Sequence, residues 1–164
     1  MKKLYLIGGP MGVGKSTVSR ILAGRLENSV FLDGDWCWNP EFGIITPQLK
    51  EMVTDNICHL LNNYINCPEY KNIIFCWVLH RQEIIDSIIG SIASESCKII
   101  NVSLLCSENV LINRLSKDIR DGLRQPDVVG RALLRLKECS NPETIKINTD
   151  DITPERIADK IMLL

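Results

Sequence analysis

The sequence predicts an α/β domain in which a parallel β-sheet is covered by helices on both faces. Two observations predict it: short apolar runs alternate with helix-periodic segments, and a glycine-rich loop follows the first of these runs. Strands that alternate with helices form a parallel sheet, and such strands are apolar because both of their faces are buried. The chain of 164 residues has the size of one domain and is long enough to bury a sizeable core.

The predicted strands are the apolar runs, and they span residues 3–8, 30–34, 72–79, 98–105 and 144–148. The first predicted helix follows the glycine-rich loop, and its apolar positions are Val18, Ile21, Leu22 and Leu26. We find no internal repeat, linker or low-complexity tract in the chain. Together these elements predict a small doubly wound domain.

Further helices are predicted from apolar stripes and capping residues. Residues 47–65 follow the cap candidate Thr46 and carry Pro47 in their first turn. Their predicted inner face comprises Leu49, Val53, Ile57, Leu60 and Tyr64. Two more stripes comprise Ile84, Ile85, Ile88, Ile89 and Ile92 and, after the cap candidate Asp127, Val129, Leu133 and Leu136. Thr153-Pro154-Glu155 opens the last helix, whose inward residues are Ile157, Ile161 and Leu164.

The glycine-rich loop fits the P-loop pattern G-x-x-x-x-G-K-[ST]. It is made up of Gly9, Pro10, Met11, Gly12, Val13, Gly14, Lys15 and Ser16, and it lies between a predicted strand and a predicted helix. The backbone N–H groups of such a loop and of the first helical turn together bind an anion. We therefore expect this loop to cradle nucleotide phosphates, whereas a plain connecting turn would leave the Lys-Ser pair unexplained.

Three side chains of this region have predicted roles in nucleotide binding. Lys15 can reach the β- and γ-phosphates, and the Ser16 hydroxyl can ligate Mg²⁺. Thr17 follows in the first helical turn and is expected near the α-phosphate.

The composition argues against several other classes of protein. The net charge of −1 gives no general case for binding nucleic acid or an anionic membrane. The seven cysteines are odd in number and form no C-x-x-C pair, which favours free thiols in a cytoplasmic protein over a disulfide framework. The apolar start of the chain ends at Gly8-Gly9-Pro10, too early for a signal peptide, and no segment is long enough to span a membrane. A monomer and a homodimer remain equally open.

Two carboxylates follow the second predicted strand, in the sequence Asp33-Gly34-Asp35. Ligands bind beyond the carboxyl ends of strands in open α/β sheets, and residues two apart in an extended segment lie on the same side. One carboxylate can hold Mg²⁺, and the other can accept the proton of an attacking hydroxyl. The alternative is an ordinary Asp-Gly turn.

Residues 114–137 are rich in arginine and contain seven basic and three acidic residues. Gly122 and Pro126 interrupt the helical pattern, which is typical of a basic lid between two helices, over about residues 118–127. Arg120 and Arg124 are the candidates for neutralising the transferring phosphoryl group. For Arg135 and Lys137 we favour a solvated helical face with charge pairs.

The acceptor pocket is predicted at the strand ends, where Trp36, Trp38 and Trp77 lie close in sequence to the carboxylates. Three tryptophans in a chain with 5% aromatic residues favour a pocket for a ring-bearing or partly apolar acceptor. Core packing is the alternative for Trp77. His80 is either an acceptor contact or a polar loop residue, and His59 is expected on a helix surface. Because residues 36–65 contain only Lys50 as a basic residue, they argue against a phosphorylated acceptor.

The P-loop, the Asp33-Gly34-Asp35 sequence and the arginine-rich segment occur in the order found in small P-loop kinases. Over essentially its whole length, the chain resembles kinases of the shikimate, gluconate and adenylylsulfate type. More narrowly, it resembles bacterial resistance kinases related to chloramphenicol phosphotransferase and the tunicamycin-resistance protein. Residues 77–80, 124–127 and 147–155 carry this narrower resemblance.

The resemblance implies a three-layer P-loop NTPase fold with strand order 2-3-1-4-5, an arginine-rich lid, and ATP and Mg²⁺ as cofactors. It implies that Asp33 lies in the Mg²⁺ shell, that Asp35 faces the acceptor hydroxyl, and that Arg114 or Arg120 lies near the adenine or the phosphates. Asn148 and Thr149, after the last strand, would line the base pocket. The third strand departs from the pattern because it lacks an acidic residue. Metal binding would then depend on Ser16, Asp33 and water.

Three classes of function remain open at this stage. The first is a kinase that transfers the ATP γ-phosphoryl group to a hydroxyl of a small molecule, with antibiotics among the candidate acceptors. The second is a nucleoside, nucleotide or cofactor-precursor kinase. The third is an NTPase or nucleotide-dependent interaction protein without kinase activity. The chain contains no Asn-Lys-x-Asp motif, so the specificity of switch GTPases for guanine is not supported.

Overall fold

The sheet of the protein has five parallel strands in the order β2-β3-β1-β4-β5. The computed structural model describes residues 1–38, 45–140 and 142–164. The strands are β1 (Lys2–Gly8), β2 (Ser29–Asp33), β3 (Asn72–Cys76), β4 (Cys97–Leu105) and β5 (Ile145–Asn148). The predicted α/β class and strand order are confirmed. The third strand ends at Cys76 and is therefore shorter than its apolar run, which extends to residue 79.

Six α-helices connect and flank the strands. They are α1 (Lys15–Arg25), α2 (Pro47–Asn66), α3 (Gln82–Gly90), α4 (Glu108–Arg120), α5 (Val128–Glu138) and α6 (Pro154–Met162). Short 3₁₀ turns cover Gly34–Cys37 and Ser94–Ser96. The arginine-rich segment therefore comprises the end of α4, the connection after it and most of α5.

The sheet separates two hydrophobic clusters, which makes the fold three-layered. Tyr5 and Ile7 of β1 point towards the cluster under α1, α4, α5 and α6, whereas Leu4 and Leu6 point towards the cluster under α2 and α3. All four side chains are fully buried. This alternation within one strand explains why the strands read as continuous apolar runs.

Two helices turn a different face to the core than their apolar stripes predict. The buried residues of α2 are Val53, Ile57, Cys58, Leu61 and Ile65, so the predicted face with Leu60 and Tyr64 is wrong by about one residue. In α5 the buried residues are Val128, Ala132 and Leu136 rather than Val129 and Leu133. Both helices carry apolar residues at adjacent positions, so the sequence of each is compatible with two apolar faces. Packing against the sheet determines which of the two faces is buried.

The predicted capping residues lie at helix starts. Thr46 Oγ1 accepts a hydrogen bond from the Leu49 N–H at 3.1 Å, and Thr153 Oγ1 accepts one from the Arg156 N–H at 3.4 Å. Asp127 occupies the N-cap of α5 without a capping hydrogen bond from its side chain, and its carboxylate pairs with Arg131 at 3.0 Å instead.

The seven cysteines are free thiols, and five of them are buried. In the described parts of the chain, none of the helices combines the length and the apolar character needed to cross a bilayer.

Replacing a leucine on the buried face of α2 should destabilise the protein more than replacing its neighbour. Leu61 is fully buried, whereas Leu60 is only partly buried. We expect Leu61→Ala to lower the free energy of unfolding by about 2–5 kcal/mol, and Leu60→Ala to lower it by less than half as much. Urea denaturation of the two variants measures this difference. Equal losses would contradict the observed orientation of α2.

Candidate active site

The loop between β1 and α1 has a backbone that only glycine adopts without strain. Gly9 has a φ of 145°, and a Cβ atom at this position would lie 2.6 Å from the carbonyl oxygen of Leu104. Gly14, the N-cap of α1, has a φ of 104°. These conformations turn the loop around the N-terminus of α1, where unpaired N–H groups favour an anion.

The ammonium group of Lys15 lies across this loop. Lys15 Nζ donates a hydrogen bond to the carbonyl oxygen of Pro10 at 2.9 Å. Burial lowers the pKa of Lys15, and the nearby carboxylates of Asp35 and Asp33 act in the opposite direction. The lysine charge therefore lies between the phosphate-binding loop and the two carboxylates.

Ser16 and Asp33 place two oxygen atoms beside the loop. The Ser16 hydroxyl donates a hydrogen bond to Asp33 Oδ2 at 2.6 Å, and the carboxylate is almost completely buried. Mg²⁺ prefers oxygen ligands and retains several waters, so this pair fits a magnesium ion that is completed by water and phosphate oxygens. Within the described residues, no group of three or more His, Cys, Asp or Glu side chains is arranged to hold a metal.

The third strand places a thiol where an acidic residue would otherwise face Ser16. Cys76 Sγ lies 3.8 Å from Ser16 Oγ. Burial raises the pKa of Cys76 to about 12, so the thiol is neutral at physiological pH. A hard cation at this position would therefore lie beside the carboxylate of Asp33, and β3 would supply no second negative charge.

The two carboxylates converge through a turn rather than through an extended strand. Asp33 ends β2, and its Oδ1 accepts a hydrogen bond from the Asp35 N–H at 3.1 Å. Asp35 lies in the 3₁₀ turn that begins at Gly34, and it is exposed. The prediction that strand alternation aligns the pair is therefore wrong. The hydrogen bond from the Asp35 N–H to the Asp33 side chain favours a turn at this point over continuation of the strand.

Arg114 joins the P-loop to the segment after β5. Its Nη1 donates to the Val13 carbonyl oxygen at 3.3 Å and to Thr149 Oγ1 at 3.0 Å, and its Nη2 donates to the Thr149 carbonyl oxygen at 3.0 Å. A cavity of about 270 Å³ opens here, and its lining includes Gly12, Thr17, Ile152 and Pro154. The cavity lies beside the first turn of α1.

The loop after β5 is held by its own side chains. Asn148 Oδ1 accepts a hydrogen bond from the Asp150 N–H at 2.7 Å. Both carboxylate oxygens of Asp150 accept hydrogen bonds from the Ser107 N–H, at 3.0 and 3.1 Å. The Ser107 contact, which sequence reasoning missed, ties this loop to the start of α4 and so fixes the wall of the cavity.

The two lid candidates lie on the surface. Arg120 ends α4, and Arg124 Nε pairs with Asp118 at 3.0 Å across the turn at Gly122. In the part of the chain that the structure describes, no hydrogen bond or ion pair joins either arginine to the P-loop. Their contact with phosphate stays a prediction.

The three tryptophans do not form one pocket wall. Trp36 is exposed and makes an edge-to-face contact with Phe31, with ring centroids 5.2 Å apart. Phe31 belongs to the α1 side of the sheet, whereas Trp38 and Trp77 pack on the α2 and α3 side. The contacts of Trp36 are thus separate from those of Trp38 and Trp77, and the described residues show no shared aromatic lining.

His80 is buried and neutral. Arg81 Nε donates to His80 Nε2 at 3.4 Å, and Glu138 Oε2 lies 3.8 Å from the same nitrogen. Burial, followed by the nearby Arg135 charge, lowers the pKa of His80 to about 4. The proton is then assigned to Nδ1, which has no hydrogen-bond partner among the described residues. His80 therefore lies in the loop between β3 and α3, as one of the two alternatives predicted, and it is buried there.

Several cations gather around His80 from distant parts of the chain. Arg81 follows it directly, Arg135 reaches it from α5 through an ion pair with Glu138 at 2.5 Å, and Lys50 approaches from α2. Within residues 36–65, the segment whose basic residues were counted above, residues 39–44 lie outside the described residues. A count of basic residues in residues 36–65 could not include Arg81 and Arg135, which lie outside that segment. The only sign of this cluster in the sequence is the position of Arg81 next to His80.

A family model described as an AAA domain matches residues 6–128 of the chain. No curated protein matches the sequence.

Several solved structures share the fold at low identity. The tunicamycin resistance protein of Deinococcus radiodurans superposes with a TM-score of 0.70 at 20% identity, covering 99% of this chain and 95% of that one. A gluconokinase from Sinorhizobium meliloti has a TM-score of 0.73 at 19% identity, covering 98% and 90%. The APS kinase of Mycobacterium tuberculosis, in complex with AMPPNP and APS, has a TM-score of 0.65 at 14% identity, covering 98% and 95%.

Lowering the pH from about 6.5 to about 4 should destabilise the protein through His80. Its folded-state pKa is about 4 and the ordinary value is 6.5, so in this window the unfolded state binds the extra proton. Stability should therefore fall by up to about 1.4 kcal/mol per pH unit from this residue. Urea unfolding of His80→Gln should show a flatter pH dependence, while His59→Gln, at the exposed second histidine, should retain the slope. Identical slopes for the wild type and His80→Gln would contradict the assignment.

Proposed function

This chain belongs to the AAA domain family, and we propose that it is an ATP-dependent kinase for a small molecule. In this proposal the γ-phosphoryl group of Mg-ATP passes to a hydroxyl of the acceptor. The observation that carries the proposal is the convergence of Lys15, Ser16, Asp33 and Asp35 at the carboxyl edge of the sheet. The likeness of the fold of this chain to the folds of small-molecule kinases also supports the proposal.

The P-loop would bind the phosphates of ATP. Its inward N–H groups and the N-terminus of α1 supply partial positive charge, and Lys15 supplies a full one. In the free protein Lys15 Nζ is held by the Pro10 carbonyl, so it needs only to exchange that contact for a phosphate oxygen. Thr17 lies in the first turn of α1 beside the cavity that would take the sugar and base.

Ser16 and Asp33 would hold Mg²⁺, directly or through water. The ion would supply the charge that shields the β- and γ-phosphate oxygens. The Ser16 hydroxyl can ligate the ion through a lone pair of its oxygen while its proton stays hydrogen-bonded to Asp33. Asp33 is already ordered by the Asp35 N–H, so the metal would meet a fixed carboxylate.

Asp35 would accept the proton of the acceptor hydroxyl. Its carboxylate is exposed, lies near the Lys15 ammonium and is carried by a turn that Asp33 caps. As the hydroxyl oxygen attacks the γ-phosphorus, its proton passes to an Asp35 carboxylate oxygen and the bond to the bridging oxygen of ADP breaks. Trp36, Trp38 and His80 are the proposed acceptor contacts.

Arg114, Asn148 and Thr149 would form the base pocket. The guanidinium of Arg114 is held flat against the loop after β5 by two hydrogen bonds to Thr149, which leaves its face available for stacking on a base. Arg120 and Arg124 would approach the phosphates when the lid closes. The Arg124–Asp118 pair is exposed and therefore worth little, so closure costs little at this contact.

A kinase for an anionic acceptor, such as a nucleotide or cofactor precursor, is the second candidate. Arg81, Arg135 and Lys50 gather near His80 on the acceptor side of the strand ends, and Glu138 neutralises only part of their charge. The lack of arginine in residues 36–65 therefore no longer argues against an acidic or phosphorylated acceptor. Antibiotics and related metabolites remain candidates through the fold shared with the tunicamycin resistance protein.

ADP release from Mg-ATP should be stimulated strongly by one class of hydroxylated acceptor. The panel contains nucleosides, sugars, shikimate-like acids, aminoglycosides, chloramphenicol and tunicamycin, with charged and neutral pairs such as gluconate and glucose. Lys15→Ala should lower the stimulated rate by at least about 100-fold, because the phosphates lose their main cation. Rapid ADP release that no acceptor changes would contradict the kinase proposal and favour an NTPase.

Asp35→Asn should reduce kcat far more than it changes ATP affinity. The amide keeps the shape of the side chain but cannot accept the proton, so we expect a loss of about 100-fold or more in kcat. ATP affinity, measured by calorimetry, should stay within about threefold, since the variant removes no phosphate contact. Asp55→Asn, an exposed carboxylate on α2, is the matched control. A change in ATP affinity alone would show that Asp35 is not the proton acceptor.

A further inference from the structure

We propose that Trp77 is a positioning residue that holds the Asp33-Gly34-Asp35 turn in the geometry that binds the magnesium–nucleotide complex. The inference rests on the proposed function. Trp77 makes no hydrogen bond through its side chain to either carboxylate among the described contacts; it acts through the backbone of Gly34. Its role is therefore distinct from that of an acceptor contact or of a core residue.

The indole of Trp77 lies directly against Gly34. A Cβ atom at position 34 would be 2.6 Å from Trp77 Cγ and 2.7 Å from Trp77 Cδ1, well inside van der Waals contact. Gly34 is not among the glycines with positive φ, so its backbone is one that other residues could adopt. Glycine is therefore required here by the approach of the indole rather than by the conformation of an Asp-Gly turn.

The backbone of Trp77 is tied to the strand that leads into the P-loop. The Trp77 N–H donates to the Ile7 carbonyl oxygen at 3.2 Å, and the next residue, Val78, accepts a hydrogen bond from the Gly9 N–H at 3.1 Å. These two bonds continue the pairing of β3 with β1 past the end of the sheet. The indole therefore occupies a position that is defined relative to the phosphate-binding loop.

The turn after Trp77 is itself constrained. Leu79 is almost completely buried and has a φ of 42°, a left-handed conformation that is unfavourable for a residue other than glycine. Its Cβ packs so closely that a Cβ atom at Gly8 would lie 3.0 Å away. Strain of this kind persists where the surrounding packing fixes the backbone, so the segment that follows Trp77 is held in one conformation.

Gly34 lies between Asp33, a proposed metal ligand, and Asp35, the proposed proton acceptor. Asp33 accepts hydrogen bonds from Ser16 Oγ through Oδ2 and from the Asp35 N–H through Oδ1, and the charge of Asp35 acts on Lys15. Without the indole the turn would be free to relax towards the vacated space. Groups that orient a metal ligand in this indirect way typically change metal affinity by about 10–100-fold when they are removed.

The test compares the binding of ATP with and without Mg²⁺ by calorimetry, which needs no acceptor. Trp77→Ala should reduce the affinity gained from Mg²⁺ by about tenfold, while binding of metal-free ATP changes less than about threefold. Trp77→Phe should retain most of the gain, because a ring still fills the space. Ile65→Ala, a buried variant at the end of α2 beside the start of β1, on the opposite edge of the sheet from the turn, controls for loss of stability alone and should keep the wild-type ratio.

The Gly34→Ala variant supplies an independent test should Trp77→Ala fail to fold. Gly34→Ala should lose the Mg²⁺-dependent gain through its clash with the indole, and adding Trp77→Leu should restore part of it. A wild-type Mg²⁺ effect in Trp77→Ala, or no restoration in the double variant, would overturn the role of Trp77 and leave the proposed function standing. Failure of the wild-type protein to bind ATP would overturn the proposed function itself.

Discussion

The hydrogen bond between the Ser16 hydroxyl and the Asp33 carboxylate is the interaction on which the site depends. It joins the first turn of α1, which follows β1, to the end of β2, and these two strands are separated in the sheet by β3. Asp33 is almost completely buried, and a buried carboxylate is tolerated only when its oxygen atoms are hydrogen-bonded. The second oxygen is satisfied by the Asp35 N–H, so the need to solvate one carboxylate also shapes the turn that presents the next one.

The order of the strands explains why these groups meet. β3 lies between β2 and β1, so its end separates the acidic turn from the P-loop and must contact both. The end of β3 differs in two ways from the end of a strand that supplies a metal ligand. Cys76 contributes a neutral thiol beside Ser16, and Trp77 contributes bulk against Gly34. β3 thus serves as a spacer that sets the distance between phosphate-binding and acidic groups.

The local features were predictable, and the long-range ones were not. The P-loop and the cap at Thr46 follow from residues that act on their own neighbours, and the strand order followed from a resemblance rather than from the residues themselves. The inner face of α2 could not be chosen because Leu60 and Leu61 are both apolar, and only the sheet distinguishes them. The charges around His80 come from three separate elements, and the closeness of Gly34 and Trp77 depends on strand pairing. No local pattern encodes such contacts.

The hydrogen bonds from Arg114 to Thr149, directly after the last strand, affect the stability of the C-terminal part of the domain. β5 is a four-residue edge strand with most of its residues exposed, and such edges open first in native-state exchange. The cavity between the P-loop and Thr149 is closed on one side by the loop that follows this strand. Any molecule bound there favours the closed edge by mass action, so occupancy and local unfolding of the C-terminal segment oppose each other. Amide protection of β5 and α6 is then a measure of how full the cavity is.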